Sequence, residues 1–233
     1  DYLGRITNIK ILKFISLFNK NLACKSISIK PENYSGKIKI KSGIDGFHIE
    51  SDEELPELIH LAEYITLVVR NSDQNNLISM SQKSKFYKND IQIDVIPFIK
   101  GPVSDSLPDE VLYQHQYKDR MVFEEWEWMA EIDKTYKIDS VVTVFKGTVE
   151  ENPIKNGKEL LNAYNNDFFK SCFVENKNLW DERWKNSEIK IIGDDSAKKS
   201  INFAISQLIS AGEHSGVSVS IPARNLTGVA YKG

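Results

Sequence analysis

The sequence predicts a mainly β chain that turns α near its end: an antiparallel β-sandwich followed by helices. Three observations predict it. Short stretches alternate apolar and polar residues with period two. Strand-like runs recur roughly every 10–15 residues with no helical period between them, the rhythm of a sandwich and not of βαβ units. Near residue 153 the period changes to that of helices.

The elements follow in order. Ser26-Ile27-Ser28-Ile29-Lys30 and Lys37-Ile38-Lys39-Ile40-Lys41 alternate, so that isoleucine faces a core and lysine faces water. Joined through Pro31-Glu32-Asn33, with a turn at Tyr34-Ser35-Gly36, they read as a hairpin with a longer loop. Gly43-Ile44-Asp45-Gly46 reads as the next chain reversal. Further strands are predicted at Tyr64 to Arg70, Leu77 to Tyr87, Val111 to Lys118, Met121 to Ile132 and Ile138 to Phe145. The β-branched run Val141-Val142-Thr143-Val144-Phe145 predicts a strand covered on both faces.

Asn152-Pro153 ends the last strand. Leu161, Tyr164, Phe168 and Cys172 then recur at helical spacing, which predicts one linker helix from Lys158 to Phe173. Trp180 and Trp184 share a helical face. A further helix begins after Gly193, with Asp194 or Asp195 as N-cap. Its apolar stripe is Ile201, Ala204, Ile205, Leu208 and Ile209, and Gly212 is its stop. A single amphipathic helix cannot build a core alone, so the chain is expected to be a piece of something longer. The domain division expected is 1–152 for the sandwich, 153–186 for a helical linker and 187–233 for the start of a further domain.

Composition narrows the function. The chain has 233 residues, 41% hydrophobic and 27% charged, which is globular and not disordered. Thirty basic against thirty-three acidic residues leave a net charge of −3, so no basic nucleic-acid footprint is expected. No apolar run reaches the ~18 residues that span a bilayer, and no membrane partner is expected. The two cysteines, Cys24 and Cys172, fall in segments read as different domains, and they make no disulfide framework. They read as reduced thiols. The glycosylation patterns Asn33-Tyr34-Ser35 and Asn225-Leu226-Thr227 read as chance.

Catalytic signatures are absent. There is no phosphate-binding glycine loop and no Gly-x-Ser-x-Gly elbow. His48, His60, His115 and His214 have no metal-ligand spacing and read as ordinary histidines. Glu124, Glu125, Glu127 and Glu131 crowd around Trp126 and Trp128, a pattern that could mark carboxylates beside sugar platforms. Strand alternation argues otherwise: the two tryptophans point one way while Glu125 and Glu127 point the other. They read as a packed strand with one charged edge. Trp180 and Trp184 read as packing anchors, and the Asp194-Asp195 pair as a helix cap.

The C-terminal part resembles glycoside hydrolase family 65, the family of kojibiose, maltose and trehalose phosphorylases and acid trehalases. The residues that carry the resemblance are Trp180-Asp181-Glu182-Arg183-Trp184, Ser187-Glu188-Ile189-Lys190-Ile191, Gly193-Asp194-Asp195 and the helix from Ala197 to Ile209. The tail from Ile221 to Gly233 is similar to the family's Ala-Arg-Gly-Leu-Thr-Gly-x-Gly-Tyr-x-Gly loop. It matches at Ala223, Arg224, Leu226, Thr227, Gly228, Tyr231 and Gly233, and departs at Asn225, Val229 and Ala230. Phe14 to Leu17 through Ser42 to Gly46 is similar to the family's N-terminal sandwich.

The resemblance implies a galactose mutarotase-like (supersandwich) domain, then a linker helix, then the first helix of an (α/α)6 barrel whose remainder is not in this sequence. It implies inverting phosphorolysis of an α-linked glucose disaccharide to β-glucose 1-phosphate. Inorganic phosphate is the co-substrate, with no metal or organic cofactor. It also implies a possible homodimer through the sandwich and, with the unpaired thiols, a cytoplasmic protein. The general acid and the phosphate site belong to the missing barrel, so no catalytic residue is assigned and the chain alone is expected to be inactive. Arg224, Tyr231 and Lys232 are candidates for the pocket rim, with loop scaffolding as their other reading. The alternatives are a non-catalytic carbohydrate-binding or dimerisation module, a trehalase-like hydrolase, and an aldose 1-epimerase. The epimerase leaves the helical tail unexplained.

Overall fold

The structure, a computed structural model, describes residues 3–45, 57–61, 64–70, 76–94, 96–97, 112–118, 121–165 and 167–212. Eleven strands and three helices lie in them. The strands are β1 (Thr7–Ile15), β2 (Leu22–Pro31), β3 (Gly36–Asp45), β4 (Glu57–Leu61), β5 (Tyr64–Arg70), β6 (Asn76–Lys88), β7 (Ile91–Ile93), β8 (Ile96–Pro97), β9 (Leu112–Lys118), β10 (Met121–Ala130) and β11 (Tyr136–Thr148). The helices are α1 (Pro153–Asn162), α2 (Phe168–Ser187) and α3 (Asp195–Gly212).

The expected sandwich is present. One sheet has seven strands in the order β1-β2-β11-β6-β5-β4, with β7 also on β6; the other has the order β3-β10-β9-β8. Every ladder is antiparallel except β8 with β9. Period-two alternation decides which side chains are interior. Ile29 of β2, Phe86 of β6, Ile138 of β11, and Trp126 and Trp128 of β10 meet between the sheets. The Phe86 ring stacks on Trp126 at 5.8 Å and meets Trp128 edge-on at 5.0 Å, the offset geometries that aromatic quadrupoles favour. Ile44, Ile65, Leu67 and Val122 fill a second interior cluster.

The expected hairpin does not form. β2 pairs with β1 and β11, whereas β3 pairs with β10 in the opposite sheet, so residues 32–35 cross from one sheet to the other. Alternation revealed two strands but carried no information about their partners. Asn33 organises the crossing: its Oδ1 accepts from Ile6 N at 2.8 Å, and its Nδ2 donates to Gly4 O at 2.9 Å. β3 also runs through Gly43 to Asp45, where a reversal was expected. A Cβ on Gly43 would lie 2.2 Å from Val122 O, so glycine is there for close backbone approach and not for turning.

β11 is covered on both faces, as its β-branched run predicts. Val141 and Leu161 are fully buried in a cluster with Leu22, Tyr64, Tyr164 and Phe169 on the outer face of the seven-stranded sheet. α1 starts at an N-cap, Asn152, whose Oδ1 accepts from Lys155 N at 3.1 Å, with Pro153 in the first turn. Gly157 lets the helix sit close to Thr143 and Ser81.

The single linker helix expected over 158–173 is instead two helices. Tyr164 leaves the helical path to bury its ring and to donate its hydroxyl to Asp139 O at 3.0 Å. Asn165 then caps the restart, its Oδ1 accepting from Asp167 N at 3.0 Å. The chain divides into two compact units, 1–173 and 174–233, and the division falls inside α2.

Candidate functional site

Arg224, Tyr231 and Lys232, the candidates for the pocket rim, lie outside the described residues, as do His48, His214, Val111 and the second glycosylation pattern. His60 and His115 fall on β4 and β9.

Within the sandwich, alternation separates indoles from carboxylates as expected at Trp126, Trp128, Glu125 and Glu127. Glu125 is nearly buried on the outer face, clamped by Lys39 Nζ at 2.6 Å and Lys41 Nζ at 3.0 Å; Glu127 meets Lys37 at 2.8 Å. Glu124 departs from the charged-edge reading. It shares the tryptophans' face and is fully buried between the sheets. Gln82 Nε2 donates to its Oε2 at 2.8 Å, and the Ser84 hydroxyl donates to the same oxygen. Ser84 reaches on to Ser140 at 2.8 Å. Gln82 also donates to Ser42 Oγ at 3.2 Å, and Ser42 accepts from Lys25 Nζ. The network therefore ties β2, β6, β10, β11 and β3 together.

Burial pushes the Lys25 ammonium below its ordinary pKa. Glu124 counteracts that shift, and Lys13 beside it reinforces it. Sequence reasoning missed the network, although the signal existed: Lys25 has the parity of Ile27 and Ile29, and Glu124 that of Trp126. A cavity of about 370 Å3 opens beside it, lined by Lys13, Lys25, Ile44, Met80, Gln82 and Val142 among others. Glu124, Gln82, Ser84, Ser42 and Lys25 satisfy one another within this network. The arrangement binds sheet to sheet.

On the helical side, α3 is capped as expected. Asp194 Oδ1 accepts from Ala197 N at 2.9 Å, and Asp195 opens the first turn. The stripe expected to be packed is only partly so: Ile201, Ile205 and Ile209 are half-buried, while Ala204 and Leu208 are exposed. Trp180 and Trp184 are half-buried on α2, and the Arg183 guanidinium lies 5.8 Å from the Trp180 ring centre. Among the described residues no group of three or more His, Cys, Asp or Glu could hold a metal ion, and no helix is long and apolar enough to cross a membrane.

The described residues thus form a two-sheet β domain, with a buried polar network tying the sheets together, that leads into helices. The chain belongs to glycosyl hydrolase family 65: the family's N-terminal domain matches residues 1–183. It is 26% identical to the alpha,alpha-trehalose phosphorylase of Thermoanaerobacter brockii over 99% of this chain and 29% of that protein. It is 28% identical to the kojibiose phosphorylase of the same organism over 100% of this chain and 30% of that protein. A 59-residue stretch is 41% identical to the nigerose phosphorylase of Lachnoclostridium phytofermentans, covering 25% of this chain and 8% of that one. The fold is shared with a putative kojibiose phosphorylase from the human microbiome, with TM-score 0.60 and 17% identity over 90% of this chain and 26% of that one. The chain thus spans under a third of the length of these full-chain relatives.

Proposed function

We propose that this chain is the N-terminal scaffold of a cytoplasmic enzyme that cleaves α-glucosyl disaccharides with inorganic phosphate, inverting the anomeric centre to give β-glucose 1-phosphate. The observation that carries the reading is that sequences of phosphorylases match this chain from end to end. The chemistry follows from charge. Hydrolysis with inversion needs one carboxylic acid to protonate the leaving oxygen and a second carboxylate to activate water. Phosphate is already anionic at neutral pH and needs no base, so a pocket of cations and hydroxyls can replace the second carboxylate. The reaction calls for no metal or organic cofactor.

The sandwich's own carboxylates support a scaffold role. Glu124 is engaged by Gln82 and Ser84, and Glu125 by two lysines. The chain alone is therefore catalytically silent. The sandwich also pairs two copies of the protein. In support, β1 is an edge strand whose Ile9, Ile11 and Ile15 are 55–70% exposed.

The test is to incubate the purified 233-residue chain, and separately the longer protein of which it is part, with trehalose, kojibiose, nigerose or maltose and phosphate. Glucose 1-phosphate and its anomeric form are read by proton NMR. The β-anomer from the longer protein only, and only with phosphate, is the expected result. Free glucose released without phosphate would make the enzyme a hydrolase, and product from the short chain would refute the scaffold role.

A further inference from the structure

Cys24 and Cys172 were expected to lie apart, and the fold brings them together. Cys24 is on β2 and Cys172 is on the first turns of α2; they are 3% and 2% exposed, and neither is in a disulfide. Both belong to the cluster of Leu22, Val141, Leu161 and Phe169, and a side-chain hydrogen bond joins them. One thiol is on a strand and the other on the helix seated over it, and both lie in the same buried cluster.

We propose that Cys24 and Cys172 form a disulfide when a small-molecule disulfide such as oxidised glutathione is supplied, and that the bond staples the start of α2 to the seven-stranded sheet. One cysteine loses its proton, and its sulfur attacks the glutathione disulfide. This gives a mixed disulfide and releases one glutathione thiol. The other cysteine then attacks the protein sulfur of that mixed disulfide and expels the second glutathione. The net change oxidises two protein thiols and reduces one glutathione disulfide to two thiols, which take up the two protons.

The same packing sets the rate. Burial disfavours the thiolate, and the Cys24 thiol is pushed up by its bond to Cys172 and by burial. The first attack therefore waits for the start of α2 to lift from the sheet. Phe14 holds that helix start down, with its ring 5.7 Å from Phe169 and 5.9 Å from Phe173. The bond would close a loop from β2 to α2 that contains most of the sandwich, a large constraint on the unfolded chain.

The experiment treats the folded protein with oxidised glutathione, quenches free thiols with an alkylating reagent under denaturing conditions, and reads intact mass and peptides. The expected result is the loss of two hydrogens, a single Cys24–Cys172 bridged peptide, and a Tm raised by about 5–10 °C that dithiothreitol reverses. Phe169→Ala should speed bridging about tenfold or more. Cys24→Ala and Cys172→Ala should each abolish the intramolecular bridge. The proposal is overturned if the folded protein yields only glutathione adducts or only bridges between chains. It is equally overturned if both thiols remain free.

Discussion

At Tyr87 and Tyr164 the protein carries its clearest pH signature. Burial, with Asp139 and Asp167 nearby, raises the Tyr87 phenol to about 12. Burial, reinforced by the charges of Tyr87, Asp139, Cys24 and Glu124, pushes Tyr164 higher still. Both phenols are protonated in the folded chain where they would ionise if unfolded. The folded state therefore holds more protons above pH ~10, and stability falls as pH rises through that range. Absorbance at 295 nm should show a delayed fraction of tyrosine ionisation near pH 12 that shrinks in Tyr87→Phe. A titration with no delayed fraction would contradict the burial of these rings. Glu124 and Lys25 teach a complementary lesson. Each could have been placed indoors by parity with its apolar neighbours, but charge argued for water. Interior partners settled the matter, because Gln82, Ser42 and Ser84 satisfy groups that would be costly to bury alone.

At the scale of elements, β3 against β10 depends on one missing side chain. Gly43→Ala would drive a methyl group into Val122 O and the Phe123 backbone, neither of which can rotate away. The expected cost is about 2–3 kcal/mol, a Tm lower by about 4–12 °C. Gly147→Ala is the milder comparison, since its added Cβ meets the Glu151 side chain, Oε2 at 2.8 Å and Cβ at 3.3 Å, and no backbone atom, and its cost should stay below that of Gly43→Ala. Equal losses in thermal melts of the two variants would remove the steric argument.

Most strands were legible because their periodicity is local. Tyr64 to Arg70 matches β5 residue for residue, and the six other predicted strands match within a few residues. β1, β4, β7 and β8 were not foreseen. β1 lies at a sheet edge with nearly all its residues exposed, so burial imposed no alternation on it. The break between α1 and α2 was hidden as well, because Tyr164 keeps the helical spacing while its hydroxyl reaches for Asp139 O.

For the whole molecule, the exposed apolar edge makes association measurable. If two copies pair along β1, sedimentation velocity should show a concentration-dependent dimer, and Ile11→Lys should weaken it at least tenfold with the Tm changed by no more than a few degrees. Ile11 is 58% exposed, so its replacement leaves no cavity. A dimer untouched by Ile11→Lys would place the contact elsewhere.

The sequence alone determined the fold class, most of the strands, the capping of α3 and, through its similarity to family 65, the membership now shown over residues 1–183. These are written in local spacing and in short motifs, which need no knowledge of distant contacts. Only the tertiary structure decided that β2 and β3 part into opposite sheets, that Glu124 and Lys25 share one buried network, and that Cys24 meets Cys172. Pairing, burial and proximity are relations between segments far apart in the chain. No period along a single strand or helix can encode them, since they emerge only when the two sheets close and α1 and the start of α2 dock on the outer face.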